Sequence, residues 1–320
     1  MDSGASRDRV DDRPAGAIPL TEPVPVTPAF QIRPGSAVIA TVVIGLFAGI
    51  IWVFATSPNI RWEVVGQYIL APQLLRGVQL TLLLTVISMI AGVVLGALAA
   101  LGRLSSIWGF KALADVYIWF FRGTPLMVQV IFAFNLSLFI PYLTVGEWRI
   151  DTNTWMTSMM AACLALSLNE GAYMAEYIRG GILGVPSGQR EAAISQGMTS
   201  GQALRRIILP QAMPAIVPAI GNQTISMLKS TSIVSVVAAA ELLTQVQVIY
   251  NQNFMIIELL IVACIWYLFM VTVASILQYF LERKLGKSSD RIGQNERASW
   301  LMGLIKRQAT ARRLRKAGMR

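Results

Sequence analysis

Hydrophobic residues are concentrated in six long runs, at positions 37–55, 74–101, 116–140, 156–178, 216–237 and 256–281. Each run is close to the ~20 apolar residues that an α-helix needs to cross the hydrocarbon core of a bilayer. Because a bilayer offers no water to unpaired backbone groups, helices are the expected form of these runs. The pattern predicts an all-α integral membrane protein with about six transmembrane helices.

Small and polar residues within the runs predict features of the helix packing. Glycines at 92 and 96 form a small-xxx-small pattern, which suits close contact between membrane helices. The sequence FRGTP at 121–125 predicts a bent helix entry near the start of the third run. Pro214 and Pro218 predict that the fifth run starts with a kink.

The fourth and fifth runs are separated by segment 187–210, which carries several arginines and is too polar to span a bilayer. Ser187 is expected to cap a helix there, with Glu191 in its first turn, where the helix dipole favours an acid. Gly197 is expected to end this helix.

A second helix is predicted in the same segment. Thr199 and Gln202 have the spacing of a capping box, so the helix is expected to resume at this point. Pro210 then breaks or bends it, because proline has no backbone N–H and its ring clashes with the preceding turn. The segment is predicted to form a helix, a glycine turn and another helix.

The distribution of Lys and Arg predicts the orientation of the spans. Segment 238–255 has neither residue, and 146–153 has only Arg149, whereas the opposite ends of the runs are basic. By the positive-inside rule, segment 187–210 and both termini are expected in the cytoplasm.

The two ends of the chain are expected to lie outside the membrane core. Residues 1–36 contain many Pro, Asp and Arg residues and few large apolar ones, which predicts a disordered cytoplasmic tail. The run 37–55 is expected to remain as a span rather than to be removed as a signal peptide. Residues 282–320 form a basic cytoplasmic tail, for which contact with membrane lipid and a solvated tail are both consistent with the sequence.

Composition narrows the chemistry that the chain can carry. Of its 320 residues, 55% are hydrophobic and only 14% are charged, which is typical of a membrane protein. The formal net charge of +10 comes from a tail and from loops rather than from basic residues beside stacking aromatics, so no nucleic acid partner is predicted. With two cysteines and no histidine, the sequence predicts no disulfide framework, metal site or catalytic residue.

Several motifs resemble those of ABC importer permeases. The clearest is the order Glu191-Ala192-Ala193, Gly197, then Ile207-Ile208-Leu209-Pro210, which resembles the EAA loop, a cytoplasmic coupling helix that docks on an ATPase subunit. Four other stretches are similar to patterns of the polar amino acid branch of type I importers: GVQLTL at 77–82, FFRGTPL at 120–126, NEGAY at 169–173 with Glu176, and KSTS at 229–232. The resemblance implies a five-helix permease domain over 74–281, with 37–55 as one extra N-terminal helix.

The same resemblance implies roles for residues of the coupling loop, 187–210. Glu191 would pair with a basic residue of the ATPase, and the small side chains of Ala192 and Ala193 would allow close approach. Gly197 would allow the turn. The residues expected to pass motion to the fifth span are Ile207, Leu209 and Pro210.

The partners and cofactors are also implied by the resemblance. The chain would be a transport subunit, not an enzyme, in the cytoplasmic (inner) membrane of a bacterium. It would pair with a second permease, identical or a sister, bind a cytoplasmic ABC ATPase dimer, and receive its substrate from an extracytoplasmic solute-binding protein. ATP and Mg would be bound by the ATPase, so no cofactor is predicted in this chain. The GKS sequence at 286–288 lacks the earlier glycine of a phosphate-binding loop.

Polar residues inside the runs are candidates for the substrate pathway, because intramembrane polar groups are expected to face a cavity or the bundle interior. They are Asn169, Glu170, Asn222, Lys229 and Arg122. An acid and a base would suit the two charges of an amino acid zwitterion. A structural ion pair of Glu170 with Lys229 or Arg122, or a set of gate contacts, is equally consistent with the sequence.

The sequence features also bear on other classes of function. An ABC importer for another small polar solute, such as an organic cation or an osmolyte, has the same motifs. A carrier driven by an ion gradient should show inverted repeats with paired broken helices, which are absent from the sequence. A membrane-embedded enzyme lacks the nucleophile and base that it would need. The substrate, and whether the second permease is identical, stay open.

Overall fold

The computed structural model describes residues 34–145 and 148–283. The expected disordered tail and the expected basic tail lie outside the described residues, apart from a few positions at their inner ends. The chain forms two compact units, Met1–Asn59 and Ile60–Arg320. In the first unit, helix α1 covers Pro34–Ala55, every residue from 38 to 55 is exposed, and the helix is long and apolar enough to cross a membrane.

The second unit is a bundle of helices with one small hairpin. Its helices are α2 Trp62–Tyr68, α3 Pro72–Leu104, α4 Trp108–Gly123, α5 Leu126–Phe134, α6 Leu136–Phe139, α7 Thr152–Trp155, α8 Ser158–Leu183, α9 Ser187–Ser195, α10 Ser200–Ala203, α11 Leu209–Ser230, α12 Leu242–Asn253 and α13 Ile256–Arg283. A π segment, Leu204–Ile208, precedes α11, and a 3₁₀ segment, Thr231–Val237, follows it.

The predicted spans are present as helices. Within the described residues, α1, α3, α13 and the continuous helical stretch Ser200–Val237 are each long and apolar enough to cross a membrane, and α4 and α5 qualify together. Helix α8 is also of spanning length, with 26 residues, but it carries more polar groups. The prediction of a helical membrane protein with about six spans is confirmed.

The third apolar run is divided into two helices, rather than forming one helix with a bent entry. Helices α4 and α5 meet at an angle of 104°. Thr124, between them, has an extended backbone with φ −108° and ψ 145°. The ring of Pro125 disfavours helical geometry in the residue before it, which explains the extended Thr124. The interruption lies where the sequence places it, but it is a full break.

The fifth run also differs from its prediction. Pro210 is the second residue of α11 and follows directly on the π segment, in which the Leu209 N–H donates to the Leu204 carbonyl. Pro210 was expected to break or bend the helix, and it does not break it, because the helix is continuous from Ser200 to Val237. The irregularity comes before the proline, in the π segment, while Pro214 and Pro218 lie inside α11.

Two elements occupy regions that the sequence predicts only as loops. Strands β1, Tyr142–Val145, and β2, Trp148–Asp151, form an antiparallel hairpin in which Tyr142 lies opposite Asp151. Helix α12 occupies most of segment 238–255 and packs on the start of α3. A Cβ added to Gly77 would lie 2.9 Å from Leu242 Cα, so this glycine allows the close contact.

Helices α3 and α8 form the centre of the bundle, and glycines bring their backbones together. A Cβ on Gly92 would lie 2.8 Å from Glu170 Cγ, and one on Gly96 would lie 2.9 Å from the backbone nitrogen of Ala175. On α8, a Cβ on Gly171 would meet the hydroxyl of Tyr117. The two glycines of the small-xxx-small pattern, at 92 and 96, thus form the close helix contact that the sequence predicts.

A fully buried carboxylate, Glu241, joins α3, α12 and α13. Its Oε1 accepts a hydrogen bond from the Thr244 N–H at 2.8 Å, which caps α12, and its Oε2 accepts one from the Tyr267 hydroxyl at 2.6 Å. The hydroxyl of Thr81 lies 3.5 Å from Oε2 and accepts from the Leu242 N–H at 3.1 Å. Glu241 lies between the spans Ser200–Val237 and Ile256–Arg283, and its burial raises the pKa of its carboxyl group.

Gly96→Ala should destabilise the bundle, because the added methyl group would meet the α8 backbone rather than a flexible side-chain end. Overpacking of this kind costs about 1–3 kcal/mol in the free energy of unfolding. Thermal unfolding of the purified variant in detergent measures the loss. The matched control is Gly109→Ala, where an added Cβ meets nothing within 4 Å. An equal loss in the control would show that the glycine contact is not responsible.

Glu241→Gln should also destabilise the protein, because the amide has one acceptor oxygen where the carboxylate uses two. One donor, the Thr244 N–H or the Tyr267 hydroxyl, would lose its partner, at a cost of about 1–3 kcal/mol. The same unfolding measurement applies. Glu63→Gln, at an exposed position in the first turn of α2, should lose only the interaction of the charge with the helix dipole, about 0.3–1 kcal/mol. Equal stability of the two variants would contradict the role given to Glu241.

Candidate coupling and transport site

Helix α9 forms the first half of the polar segment 187–210, but its start differs from the prediction. The N-cap residue is Pro186, and Ser187 is the first helical residue, without a side-chain capping bond. Glu191 is the fifth residue of the helix, so it lies beyond the first turn. The expected capping role of Ser187 and the first-turn position of Glu191 are therefore wrong. Glu191 is exposed and does not stabilise the N-terminus of α9.

The three residues of the EAA order point in different directions. Glu191 and Ala192 are exposed, whereas Ala193 is buried, with 5% of its surface accessible. At 100° per residue, Glu191 and Ala192 lie on the side of α9 away from the rest of the bundle. The outer face of α9 therefore offers a carboxylate beside a small side chain, and Ala193 packs within the chain itself.

The turn after α9 follows the sequence prediction closely. Gly197 has φ +81°, a left-handed conformation that glycine adopts without steric cost. Its N–H donates to the Ile194 carbonyl at 2.9 Å, and the Met198 N–H donates to the Ala193 carbonyl at 3.1 Å. These two bonds are those of a Schellman motif, which satisfies the last carbonyls of the helix.

The predicted capping box follows at once. The Gln202 N–H donates to Thr199 Oγ1 at 3.3 Å, and the Thr199 N–H donates to Gln202 Oε1 at 2.9 Å. Both ends of the turn are therefore closed by hydrogen bonds.

The connection from this turn to α11 passes through the π segment. Ile207 and Leu209 are half-buried, Ile208 between them is buried, and Pro210 is exposed at the start of α11. The apolar core around Ile208 also contains Met174 and Ile178 of α8 and Ala212 and Ile216 of α11. The residues expected to pass motion onward thus lie at the junction of α9, α8 and α11.

Asn169 lies at the break between α4 and α5. Its Nδ2 donates to the Phe121 carbonyl at 2.9 Å and to Gln129 Oε1 at 3.1 Å. Gln129 Nε2 donates to the same carbonyl at 2.9 Å and to Thr124 Oγ1 at 2.8 Å. The two amides therefore supply the hydrogen bonds that the broken helix cannot make for itself, which is a structural use of Asn169.

Glu170 lies in the interior, between α3, α8 and α11. It is 2% exposed, and its Oε2 accepts a hydrogen bond from Gln223 Nε2 at 3.2 Å. Its Oε1 is buried and has no hydrogen-bond partner within the described residues. Within the same residues it forms no ion pair with Lys229 or Arg122. The ion pair considered from the sequence is therefore not formed, and one buried carboxylate oxygen has unused capacity.

Arg122 belongs to an ion-pair cluster that ties α3, α4 and α8 together. Its Nη1 lies 3.4 Å from Glu176 Oε1, and its guanidinium lies 5.3 Å from the ring centre of Tyr173. Glu176 Oε2 accepts from Arg179 Nη2 at 2.8 Å, and Arg103 contacts Oε1 of the same carboxylate. Glu176, not Glu170, is the partner of Arg122.

Asn222 and Lys229 lie on another surface, the exposed side of α11. They are seven residues apart, so they share one face of the helix, and both are exposed. A lysine in the middle of a bilayer facing lipid would be costly. This face therefore requires cover by protein or water. The structure does not bring these two residues together with Asn169 or Glu170.

Sequence reasoning missed three polar residues of the interior. Gln129 supports the helix break, Gln223 is the partner of Glu170, and Glu241 holds α12. Glu241 carried little sequence signal, since glutamate is not among the side chains that N-cap positions favour, although it caps α12 in the structure. The two glutamines had none, because their role depends on helices distant in sequence.

Three comparisons with known proteins agree on the family. Residues 92–287 match the family model described as "Binding-protein-dependent transport system inner membrane component". An arginine transport system permease protein of Corynebacterium glutamicum is 37% identical over 84% of this chain and 86% of its own length. A glutamine transport system permease protein of Escherichia coli is 35% identical over 70% of this chain and 97% of its own.

A solved structure gives the same result. The crystal structure of an amino acid ABC transporter with histidines includes a chain that is 36% identical to this one, with a TM-score of 0.61. The match covers 71% of this chain and 99% of that one. The chain therefore belongs to the inner membrane components of binding-protein-dependent transport systems, as a multi-pass permease subunit of the polar amino acid branch of type I ABC importers.

Proposed function

We propose that this permease carries a polar amino acid into the cell, using ATP that a separate cytoplasmic ATPase dimer hydrolyses with Mg²⁺. The observation that carries the proposal is the outer face of α9, where Glu191 and Ala192 are exposed on a helix closed by hydrogen bonds at its turn. An exposed acid beside a small residue suits docking against a basic groove, because the backbone of α9 can approach closely.

Coupling to the membrane is proposed to run from α9 to α11. When the ATPase moves α9, the closed turn at Gly197 passes the displacement to the π segment. Ile208 is buried there against α8 and α11, so the displacement reaches both helices. In this arrangement, Ala193 holds α9 to its own chain, and Glu191 with Ala192 contacts the ATPase. The alanines thus have separate roles.

A second permease is proposed to cover the exposed face of α11. Asn222 and Lys229 would then face a space between the two permeases rather than lipid, which removes the cost of exposing them to hydrocarbon. Such a space is suited to a polar substrate. The partner is either a copy of this chain or a sister permease.

The substrate is proposed to be a polar amino acid delivered by an extracytoplasmic binding protein, with both termini of the permease in the cytoplasm. The relatives are permeases for arginine, glutamine and cystine by name, and all of these are polar amino acids. The free Oε1 of Glu170 is a candidate acceptor for the substrate ammonium group, if a movement of α11 opens the interior to it.

Purification of the protein from its native membrane, followed by identification of the chains bound to it, tests the proposal. An ATPase together with a binding protein or second permease is the expected result. The ligand of that binding protein would then identify the substrate. Solute transport by the isolated chain under an ion gradient, without ATP, would contradict the proposal.

Ala192→Trp should leave the protein folded but reduce ATPase binding and amino acid uptake at least tenfold, equivalent to about 1.4 kcal/mol of docking free energy. The indole would stand between α9 and the ATPase. Uptake in membrane vesicles and the amount of co-purified ATPase are the measurements. Ala192→Ser, which keeps a small side chain, is the matched control and should behave as the wild type.

Ala193→Trp should impair folding, unlike Ala192→Trp, because Ala193 is buried within its own chain. The yield of folded protein should fall along with uptake. If Ala192→Trp bound the ATPase normally, or if both variants lost folded protein equally, the two faces assigned to α9 would be wrong.

Asn222→Cys should crosslink to a neighbouring permease through a short bifunctional thiol reagent, after Cys163 and Cys264 are replaced by Ser. The product with an identical partner would have about twice the 35.0 kDa of one chain, and a sister permease would be identified by mass spectrometry. Val94→Cys, on an exposed apolar position of α3, is the control and should not crosslink in this way. Failure of Asn222→Cys to crosslink to any permease would contradict the proposed interface.

A further inference from the structure

A cavity of about 380 Å³ lies between the ends of α3 and α8, the start of α9 and the π segment. Its volume falls within the range of small-molecule binding sites. Its walls are mainly apolar, formed by residues such as Leu101, Leu104, Ile182, Leu204 and Ile208. It lies beside the helix that is proposed to dock on the ATPase, and none of the roles described above uses it.

The polar residues of this cavity are basic or neutral. Arg190, Ser187 and Ser200 line it, and no carboxylate among residues 34–145 and 148–283 does. Arg190 is exposed and makes no ion pair with any residue in 34–145 or 148–283. The first turn of α9, which also borders the cavity, has no side-chain cap, so its N–H groups add to the attraction for an anion.

The position of the cavity also indicates the kind of ligand. Its walls include the last turns of α3 and α8, where two spanning helices end, so it lies near the boundary of the membrane. Leu101 is 47% exposed, Leu104 is 39% exposed and Leu183 is 59% exposed, and all three line the cavity. Apolar surface thus continues from the cavity to the outside of the bundle, as an amphiphilic ligand requires.

We propose that the cavity binds an anionic phospholipid of the surrounding membrane, with part of one acyl chain among the leucines and the phosphate against Arg190. The inference goes beyond the proposed transport function, since lipid binding is a property of the permease alone. A lipid in this position would brace α9 against the ends of α3 and α8. The inner leaflet, on which the positive-inside rule places this side of the bundle, is the anionic one.

Two other occupants fit the cavity less well. The C-terminal segment 284–320 of this chain is rich in Lys and Arg, so it would bring positive charge towards Arg190. A side chain of the ATPase that contacts Ala192 would approach the side of α9 opposite Arg190, because two helical residues correspond to a rotation of about 200°. The charge and the apolar walls together favour the lipid.

Native mass spectrometry of the full chain in detergent, titrated with phosphatidylglycerol or with phosphatidylcholine, tests this proposal. Two variants test the apolar cavity and the basic side chain of the site one at a time. Gly201→Leu places a side chain into the cavity from a position where an added Cβ meets nothing within 4 Å, so the backbone need not move. Arg190→Ala removes the charge and leaves the apolar walls intact.

Two matched variants serve as controls. Gly109→Leu adds the same side chain at another open glycine, one that does not line the cavity. Arg205→Ala removes an exposed arginine that also lies outside the cavity lining. Thermal unfolding of all four variants shows whether each remains folded.

The wild type is expected to bind phosphatidylglycerol more tightly than phosphatidylcholine. Gly201→Leu should weaken the binding of both lipids. Arg190→Ala should weaken phosphatidylglycerol by about tenfold, the usual effect of losing one charge-assisted hydrogen bond, and phosphatidylcholine by less, because its choline ammonium offsets the phosphate charge. The controls should match the wild type. Equal binding of the two lipids by the wild type, or unchanged affinity in folded Gly201→Leu and Arg190→Ala, would overturn the proposal.

One further outcome identifies the competing occupant. If Gly201→Leu kept its affinity for both lipids but no longer co-purified with the ATPase, the cavity would be a protein contact and the lipid proposal would be wrong. Loss of ATPase binding in Ala192→Trp concerns the outer face of α9 only. The tests of lipid binding and of coupling can therefore fail independently.

Discussion

The close contact between α3 and α8 is the constraint on which the rest of the bundle depends. Glycines at 92 and 96 on one helix and at 171 on the other leave no space for a methyl group. Tyr117 of α4 lies against Gly171 and donates a hydrogen bond to the Leu168 carbonyl at 2.7 Å. A third helix is thus fixed to the pair at the same point, and Glu170 is held between α3 and α11.

The pairing of the interior polar groups depends on that contact and on the lack of water in the hydrocarbon core of a membrane. A break in a membrane helix is tolerated only where neighbouring groups satisfy its backbone, and Asn169 with Gln129 does so for α4 and α5. Glu241 uses both oxygens within the chain. Glu170 differs, because one of its oxygens has no partner among the described residues. The bundle thus combines fully paired polar groups with a buried carboxylate that can accept a further bond.

A feature could be predicted from the sequence when the residues that determine it are close together along the chain. The Gly197 turn and the Thr199 capping box are local, so a few residues define them, and the structure has both. The glycine contact at 92 and 96 was predicted because its spacing repeats along one helix face. The partner of Arg122 depends on helices far apart in sequence, so no local pattern encodes it. The pair Thr124–Pro125 indicates where α4 and α5 separate, but not the 104° angle between them. Likewise, the EAA order alone did not show that Ala193 faces inward.

The π segment Leu204–Ile208 constrains the length of the chain as well as its composition. A π turn spans i to i+5, one residue more than an α turn, and each helical residue corresponds to a rotation of about 100°. Deletion of a single residue there would convert the wide turn into a regular one and swing α9 around the axis of α11 by a similar angle. Glu191 and Ala192 would then face a different direction with no change in their identity. The count of residues between Gly197 and Pro210 is therefore itself a determinant of which surface the permease presents.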